Sequence, residues 1–342
     1  MNAERVAPSE LITAEEFADV RARSDIKGLW CVFHAWAVIA AAMAVYAVFP
    51  NPLSFVAAVV VIGSRQLGLA ILVHDGAHGV LMGTRKWNDP VSQWLCGFPV
   101  FTDTISYRHY HLGHHRLTQQ PDDPDLMLSK PFPITRASFR RKMIRDITGR
   151  TGLQQRRAQI RAAIGKPGQP FRERLATFGR KMGRMVVANF VLLDVLTALG
   201  KPHYYLMFWL LPLLTWYMVV LRVRNIAEHA MVPDNDDPMR NARTTYANWI
   251  ERAILAPYWV NYHVDHHLLM YVPCYNLPTL NKALLANGHG PKMETRRNYL
   301  DVIRLATSKP DTAEQRSGAR RKNYAIEGLD PTMRPDEDAR AA

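Results

Sequence analysis

Cysteine is scarce in this chain. Cys31, Cys96 and Cys274 lie far apart, and no CxxC pair occurs. That spacing argues against a disulfide framework and against a cysteine-held iron–sulfur cluster. Acid is scarce in one long stretch. Between Lys130 and Arg184 there are sixteen Lys or Arg and only two acids, Asp146 and Glu173, which accounts for the formal charge of +13 on the whole chain. No zinc-finger or RNP pattern accompanies these cations, so nucleic acid is not the expected partner. HExxH is absent, which removes the usual signature of a zinc hydrolase. The first twenty residues mix both signs of charge and have no apolar core, so they do not read as a signal peptide.

What the chain does have is apolar runs set between charged ones. Of its 342 residues, 48% are hydrophobic, yet mean hydropathy is −0.16. Thr13 to Glu16 reads as a capping box opening a short polar helix. Residues 28–49 carry no charge and are long enough to span a bilayer, which takes about 20 apolar residues. "FPNP" at 49–52 makes a turn, and a second run over 53–75 is broken by Arg65 and Gln66. Arg65 either reaches an interface or faces a polar cavity, where it is a candidate substrate contact. Val91 to Phe101 is too short to span and is expected at the interface or as a dip that returns. Residues 185–199 and 204–221 are a third and a fourth candidate span, joined by the turn "GKPH". The expected fold is an all-α membrane protein, with four transmembrane helices in two hairpins and a cytoplasmic helical cap. One domain covers 1–307, and 308–342 is a polar, flexible tail.

The basic block is expected in the cytoplasm, by the positive-inside bias and by attraction to anionic lipid. Both termini and both hairpin ends then face the cytoplasm as well. This matters for the thirteen histidines. His74 and His78 end the second span; His111, His114 and His115 form "HLGHH"; Asn225 and His229 follow the fourth span; His263, His266 and His267 form "HVDHH". A topology set by charge alone places every cluster on one membrane face. Spacings of three and four residues put the members of each cluster on one helix face. Nine imidazoles exceed the four ligands of one tetrahedral zinc and suit two metals with four or five nitrogens each. Imidazole also accepts copper, iron and nickel, so ligand type does not name the metal. Asn225, one helical turn before His229, is placed to orient a water on one metal.

Asp75, Glu228 and Asp265 adjoin ligands in sequence and are expected to fix their tautomers. Asp122 and Asp123 read as ordinary solvated or capping acids. His34, His109, His203 and His289 are expected not to bind metal; His109 points away from the face of His111. A membrane metal carrier would need ligands inside the spans, forming a path across the bilayer, and the clusters lie at the span ends instead.

Together these residues resemble the integral-membrane fatty acid desaturase and hydroxylase family with three histidine boxes. "HDGAH" is similar to its first box, "HLGHH" to its second and "HVDHH" to its third. "NIAEH" and "HHLLMYVPCYNLPTL" resemble elements flanking the third box, and the likeness runs from about residue 28 to 286. The resemblance implies two iron ions held by His74, His78, His111, His114, His115, His229, His263, His266 and His267, with Asn225 acting through water. It implies O2 as co-substrate and desaturation of a fatty-acyl chain, with hydroxylation of an acyl, sphingoid or carotenoid substrate as the alternative. No haem domain, cysteine cluster or Gly-rich dinucleotide motif is present, so a separate electron donor is expected, a ferredoxin with a reductase. The Ala/Arg-rich composition and the lack of an appended redox domain lean toward a bacterial inner membrane.

Overall fold

The computed structural model describes residues 6–166 and 168–310; most of the expected tail, from 311 on, lies outside the described residues. Among the described residues the structure is mostly helical, with one short strand pair. Its elements are α1 (Pro8–Leu11), α2 (Ala14–Arg21), α3 (Asp25–Val48), α4 (Pro52–Ala77), α5 (Arg85–Val91), α6 (Thr104–Leu117), α7 (Leu126–Ser129), α8 (Arg136–Ile147), α9 (Arg150–Ala163) and α10 (Phe171–Ala198). There follow α11 (Leu211–Leu214), α12 (Trp216–His229), α13 (Trp249–Ile254), α14 (His263–Leu268), α15 (Leu277–Ala286) and α16 (Tyr299–Ala306). Thr244–Thr245 and Thr295–Arg296 pair in parallel as β1 and β2.

Among the described residues, three helical stretches are long and apolar enough to cross a membrane: Asp25–Val48, Pro52–Ala77 and Tyr205–His229. At 1.5 Å per residue each is about 36–39 Å long, more than the hydrocarbon thickness of about 30 Å. The first two form a hairpin. Asn51 caps α4 by accepting from the Leu53 and Ser54 amides, and Pro52 takes the first helical position, where no N–H is needed. The third opens with a π-helical turn, Tyr205–Leu210, and contains Pro212. It runs eight residues beyond the expected end at Leu221, because Arg222 and Arg224 are turned to acids of the protein rather than to lipid.

The remaining expected span, 185–199, is the apolar end of a longer helix. The first half of α10 carries Arg172, Arg174, Arg180, Lys181 and Arg184, so the whole helix is not an uninterrupted apolar span. Its second half exposes Val187, Phe190, Val191 and Val195. Asn189 is buried there. Its amide donates to the Phe98 carbonyl at 3.1 Å, and its oxygen accepts from Tyr205 Oη at 2.9 Å. This satisfies a polar group at a depth where water is unavailable.

The second span is the core of the molecule. From Ile62 to Ala77 nearly every residue of α4 is buried, whereas α3 leaves Trp30, Phe33, Val45 and Val48 exposed on its outer side. In the stretch 91–101 a π-turn over Ser92–Gly97 leads to a left-handed Phe101 (φ 60°). Around the inner end of α4 the polar elements assemble into a cap. The basic helices α8 and α9 are fastened to the third span by buried Asp146, whose carboxylate accepts from Arg222 at 2.5 and 2.9 Å and from the Thr151 hydroxyl at 2.6 Å.

Removing one member of a buried ion pair strands its partner. Asp146→Ala should therefore destabilise the protein by about 3 kcal/mol, read as a lower thermal midpoint in detergent with the histidine site still able to take up metal. An unchanged midpoint would mean that Arg222 finds water instead.

Candidate metal centre

The nine histidines come together at the inner ends of α4 and α12, from four separate pieces of chain. They form two groups. His74, His78, His111, His115 and His266 make the first, and His114, His229, His263 and His267 the second; within each, the ligand atoms lie within 4.8 Å of one another. The groups adjoin, since the rings of His115 and His267 stack with centroids 4.2 Å apart. The two-box arithmetic of i, i+3 and i+4 works out as helix geometry demands. On α6, His111 and His115 turn to the first group and His114 to the second; on α14, His266 faces the first and His263 and His267 the second. Among the remaining histidines, His109 and His203 are exposed. His34 bonds to Tyr258 Oη at 3.1 Å, and His289 Nε2 donates to the Leu11 carbonyl at 2.9 Å.

The spans are held at this end by two arginines from elsewhere. A helix C-terminus leaves carbonyls without intrahelical partners. Arg108, on α6, donates to the Gly76 and Ala77 carbonyls of α4 at 2.9 and 2.8 Å and pairs with Asp89. Arg243, fully buried, donates to the Ala230 and Met231 carbonyls just past α12 at 2.8 and 2.9 Å and pairs with Glu294 at 3.0 Å. Positive charge at a helix C-terminus is favourable. These two clamps fix where His74, His78 and His229 sit.

The hydrogen bonds decide which ring nitrogens are bare. His114 Nδ1–H donates to Asp123 Oδ1 at 2.8 Å, and His229 Nδ1–H to the Asn241 carbonyl at 3.3 Å. With those protons committed, each Nε2 presents a lone pair, and the two Nε2 atoms face each other at 3.1 Å. Two acceptors at that distance repel unless a cation lies beside them. Elsewhere, His74 Nε2 and both nitrogens of His78 are buried without a hydrogen-bond partner among the described residues. Burial also pushes His111, His115, His263, His266 and His267 well below the usual imidazole range, with each other's charge adding to the effect. His114 differs. Burial works against its charge too, but Asp123 and Asp125 outweigh it and raise its pKa. The same anionic partner that would favour a proton on His114 favours a metal ion at its Nε2.

Spacing within each group fits a shared metal ion. Facing Nε2 pairs lie at 3.0 Å (His111–His115), 3.1 Å (His115–His266), 2.8 Å (His229–His263) and 3.2 Å (His263–His267). With a metal–nitrogen bond of about 2.1 Å, ligands at right angles stand about 3.0 Å apart and tetrahedral ones about 3.4 Å apart. The observed pairs are close enough to share one ion within each group.

The acids divide differently from the sequence expectation. Asp123, read there as solvated, is buried and holds His114; it also accepts from the Gln119 and Asp125 amides at 2.8 Å each. The loop after α6 folds back to bring it there, which no spacing rule reveals. Asp265 instead accepts from the Thr244 hydroxyl at 2.5 Å and the Asn281 amide at 2.8 Å, because on a helix it points away from His266. It ties α14 to β1 and α15. Burial raises its pKa to about 6 against the lowering effect of those bonds. Asp75 lies 3.6 Å from His74 Nδ1 and accepts from the Cys274 amide at 2.8 Å. Glu228 lies 3.6 Å from His263 Nε2 and pairs with Arg224 at 2.5 Å. Tyr107, stacked on His111 with centroids 5.0 Å apart, and Thr118, whose oxygen is 3.4 Å from His267 Nδ1, complete the surroundings without having been anticipated. Arg65 is turned to the Ala253 carbonyl and to the Tyr258 ring, 5.9 Å to its centroid. It lines none of the described cavities that reach the histidines.

Comparison with known proteins agrees with this geometry. The fatty acid desaturase family matches residues 50–296. The chain belongs to the fatty acid desaturase family. A relative in Bradyrhizobium elkanii, dihydrorhizobitoxine desaturase, is 28% identical over 234 residues, which is 66% of either chain. For this desaturase-family protein the apolar spans mean an integral membrane protein, and the two buried histidine groups are where metal can be held.

Two outcomes test the site. Asp123→Ala should weaken metal retention about 10–100-fold in chelator competition, whereas Asp265→Ala should lower stability first. Equal effects would show that Asp123 is only a loop strut. Second, the unfolded chain binds more protons than the folded one at these histidines, so stability should rise with pH. The metal-free protein should lose thermal stability as pH falls through about 6.5; a flat profile from pH 7.5 to 5.5 would contradict neutral, buried rings.

Proposed function

We propose that this protein is an O2-dependent di-iron desaturase. The observation that carries it is the pair of adjoining groups of five and four buried imidazoles. Two irons bound there would supply the activation of O2 against an unactivated C–H bond. His74, His78, His111, His115 and His266 would hold one, and His114, His229, His263 and His267 the other.

The protein's own part is positioning and exclusion of water. A cavity of about 30 Å³ between the groups, walled by His111, His114, His229, His263, Asn225 and Glu228, has room for about one or two waters. Asn225 lines it and would hold such a water. The overall change takes two hydrogens from adjacent saturated carbons to make a double bond. Those two hydrogens, O2, two protons and two electrons together give two waters. The electrons come from a separate donor such as a ferredoxin with its reductase, for which the basic faces of α8 and α9 offer complementary charge. Both termini and the cap lie in the cytoplasm in this reading, by the charge of 130–184, and a bacterial inner membrane is the expected setting. The substrate in this reading is the fatty-acyl chain of a membrane lipid or an acyl thioester, in keeping with the fatty acid desaturase family.

Metal analysis of the purified protein should give about two irons per chain; one zinc and no iron would overturn the proposal. His267→Ala should abolish product while leaving membrane insertion intact. Mass spectrometry of cell extracts after expression in a host without the activity should find a product lighter by two mass units; a gain of sixteen would mean hydroxylation.

A further inference from the structure

A wide basin approaches the second histidine group from the water. It measures about 550 Å³ and opens among exposed Pro121, Lys130, Asn235 and Asp236. His229 lies in its floor, and apart from that residue its walls belong to no apolar span. The small cavity of about 30 Å³ beside His111, His114, His229 and His263 lies directly behind it, because Ser129 and His229 wall both spaces. The thickness of two side chains therefore separates solvent from the point where three imidazoles of the second group meet.

Gln119 closes this gap. Its backbone is left-handed (φ 61°), a conformation uncommon outside glycine. The Asp123 carboxylate holds that turn by accepting from the Gln119 backbone amide at 2.8 Å. The side-chain amide then reaches across the wall, donating to Ser129 Oγ and to the His229 carbonyl, both at 3.3 Å. Both bonds are longer than the usual range of about 2.7–3.2 Å. The closure is therefore weak, and a rotation of one side chain opens it. The rim carries charge suited to a cation. The loop from Pro233 to Asp237 holds Asp234, Asp236 and Asp237 without a Lys or Arg, in a chain whose formal charge is +13. Gln120 ties that loop to the opposite rim, donating to the Asn235 carbonyl at 3.3 Å and to Asp236 at 3.0 Å. Lys130 is the one cation in the lining. The cavity of about 200 Å³ beside His115 and His267 is different. It lies beneath α1 and α2, which Asn276 and His289 tether through the Val20, Ala22 and Leu11 carbonyls. Its walls are mainly apolar and include Arg21, so they offer a hydrated cation few oxygens in exchange for its waters and no attraction.

We propose that Gln119 and Ser129 form the door through which the metal ion of the second group enters from water. The acidic 233–237 loop draws the cation in, side-chain and carbonyl oxygens of the basin replace its waters, and the swing of Gln119 exposes the site behind Ser129. This rests on the reading above that His114, His229, His263 and His267 hold a metal ion, and adds how the ion reaches them.

The test uses the full chain in detergent, stripped of metal with EDTA, and Co2+ alone as the probe. Stopped-flow absorbance follows uptake, and the phase missing in His263→Ala belongs to the second group. Gln119→Ala should speed that phase, and release to EDTA, by about fivefold with the same final number of bound ions. Asp236→Lys, a change at an exposed position, should slow uptake by about threefold at low salt and leave it unaltered at high salt. Phe17→Ala, in the wall of the apolar cavity, should change neither rate. An unaltered rate in either of the first two variants, an equal acceleration by Phe17→Ala, or a folded metal-free chain that takes up no Co2+ would each overturn the proposal. The iron content of the protein as purified reports separately on the di-iron reading. Two irons with Co2+ uptake indifferent to Gln119 keep that reading and lose this one. Uptake gated by Gln119 in a protein purified without iron does the reverse.

Discussion

Nine imidazoles are packed against one another away from water, in two adjoining groups whose ring nitrogens face one another. Left to themselves, those lone pairs repel, and rings such as His111 and His115 cannot relieve the strain by taking protons, because burial and mutual charge disfavour the imidazolium form; His114, backed by Asp123 and Asp125, is the exception. Only a cation can make such an arrangement favourable. The oxygen acceptors behind His114 and His229 act in the same direction, since each locks a proton onto Nδ1 and leaves Nε2 free. The rest of the cap can be read as what is needed to hold this arrangement in place.

That holding is done largely by helix ends. Histidines at a helix C-terminus sit beside unsatisfied carbonyls, which in a buried site would cost as much as they position. Arg108 and Arg243 remove the difficulty, each closing the inner end of one apolar span and each neutralised by an acid of its own, Asp89 and Glu294. Asp123 and Asp265 then pull two polar segments onto the site: one folds the loop after α6 back onto His114, the other anchors the short helix of the third box to β1 and α15. A metal site assembled from four distant stretches is thereby fixed by clamps that are themselves distant in sequence.

The surroundings of the histidines are unequal on their two sides, and that asymmetry bears on function. One side opens through an apolar cavity beneath two short tethered helices; the other is tight and polar, with room for water and with the Arg224–Glu228 pair in its wall. An oxidation that must admit an apolar segment while handling protons and water wants such a division. The exposed apolar faces of α3 and α10, by contrast, lie away from these cavities and suit a lipid surface.

Much of this was legible in the order of residues. Periods of three and four fixed which histidines share a helix face, because backbone geometry leaves no choice once the segment is helical. Apolar length marked three spans, and the short polar helix after Thr13 followed from its capping box. Other features depended on where distant segments meet. The true extent of the third span, the apolar end of α10 standing in for a full span, the engagement of Arg65 with Ala253, and the exchange of roles between Asp123 and Asp265 are of this kind. A carboxylate's partner is set by whichever backbone is brought within about 3 Å of it, and that is a property of the packed chain. The same holds for the size of the cavity beside His115 and His267: sequence specifies the side chains, but the volume left between them exists only after α1 and α2 have closed over it.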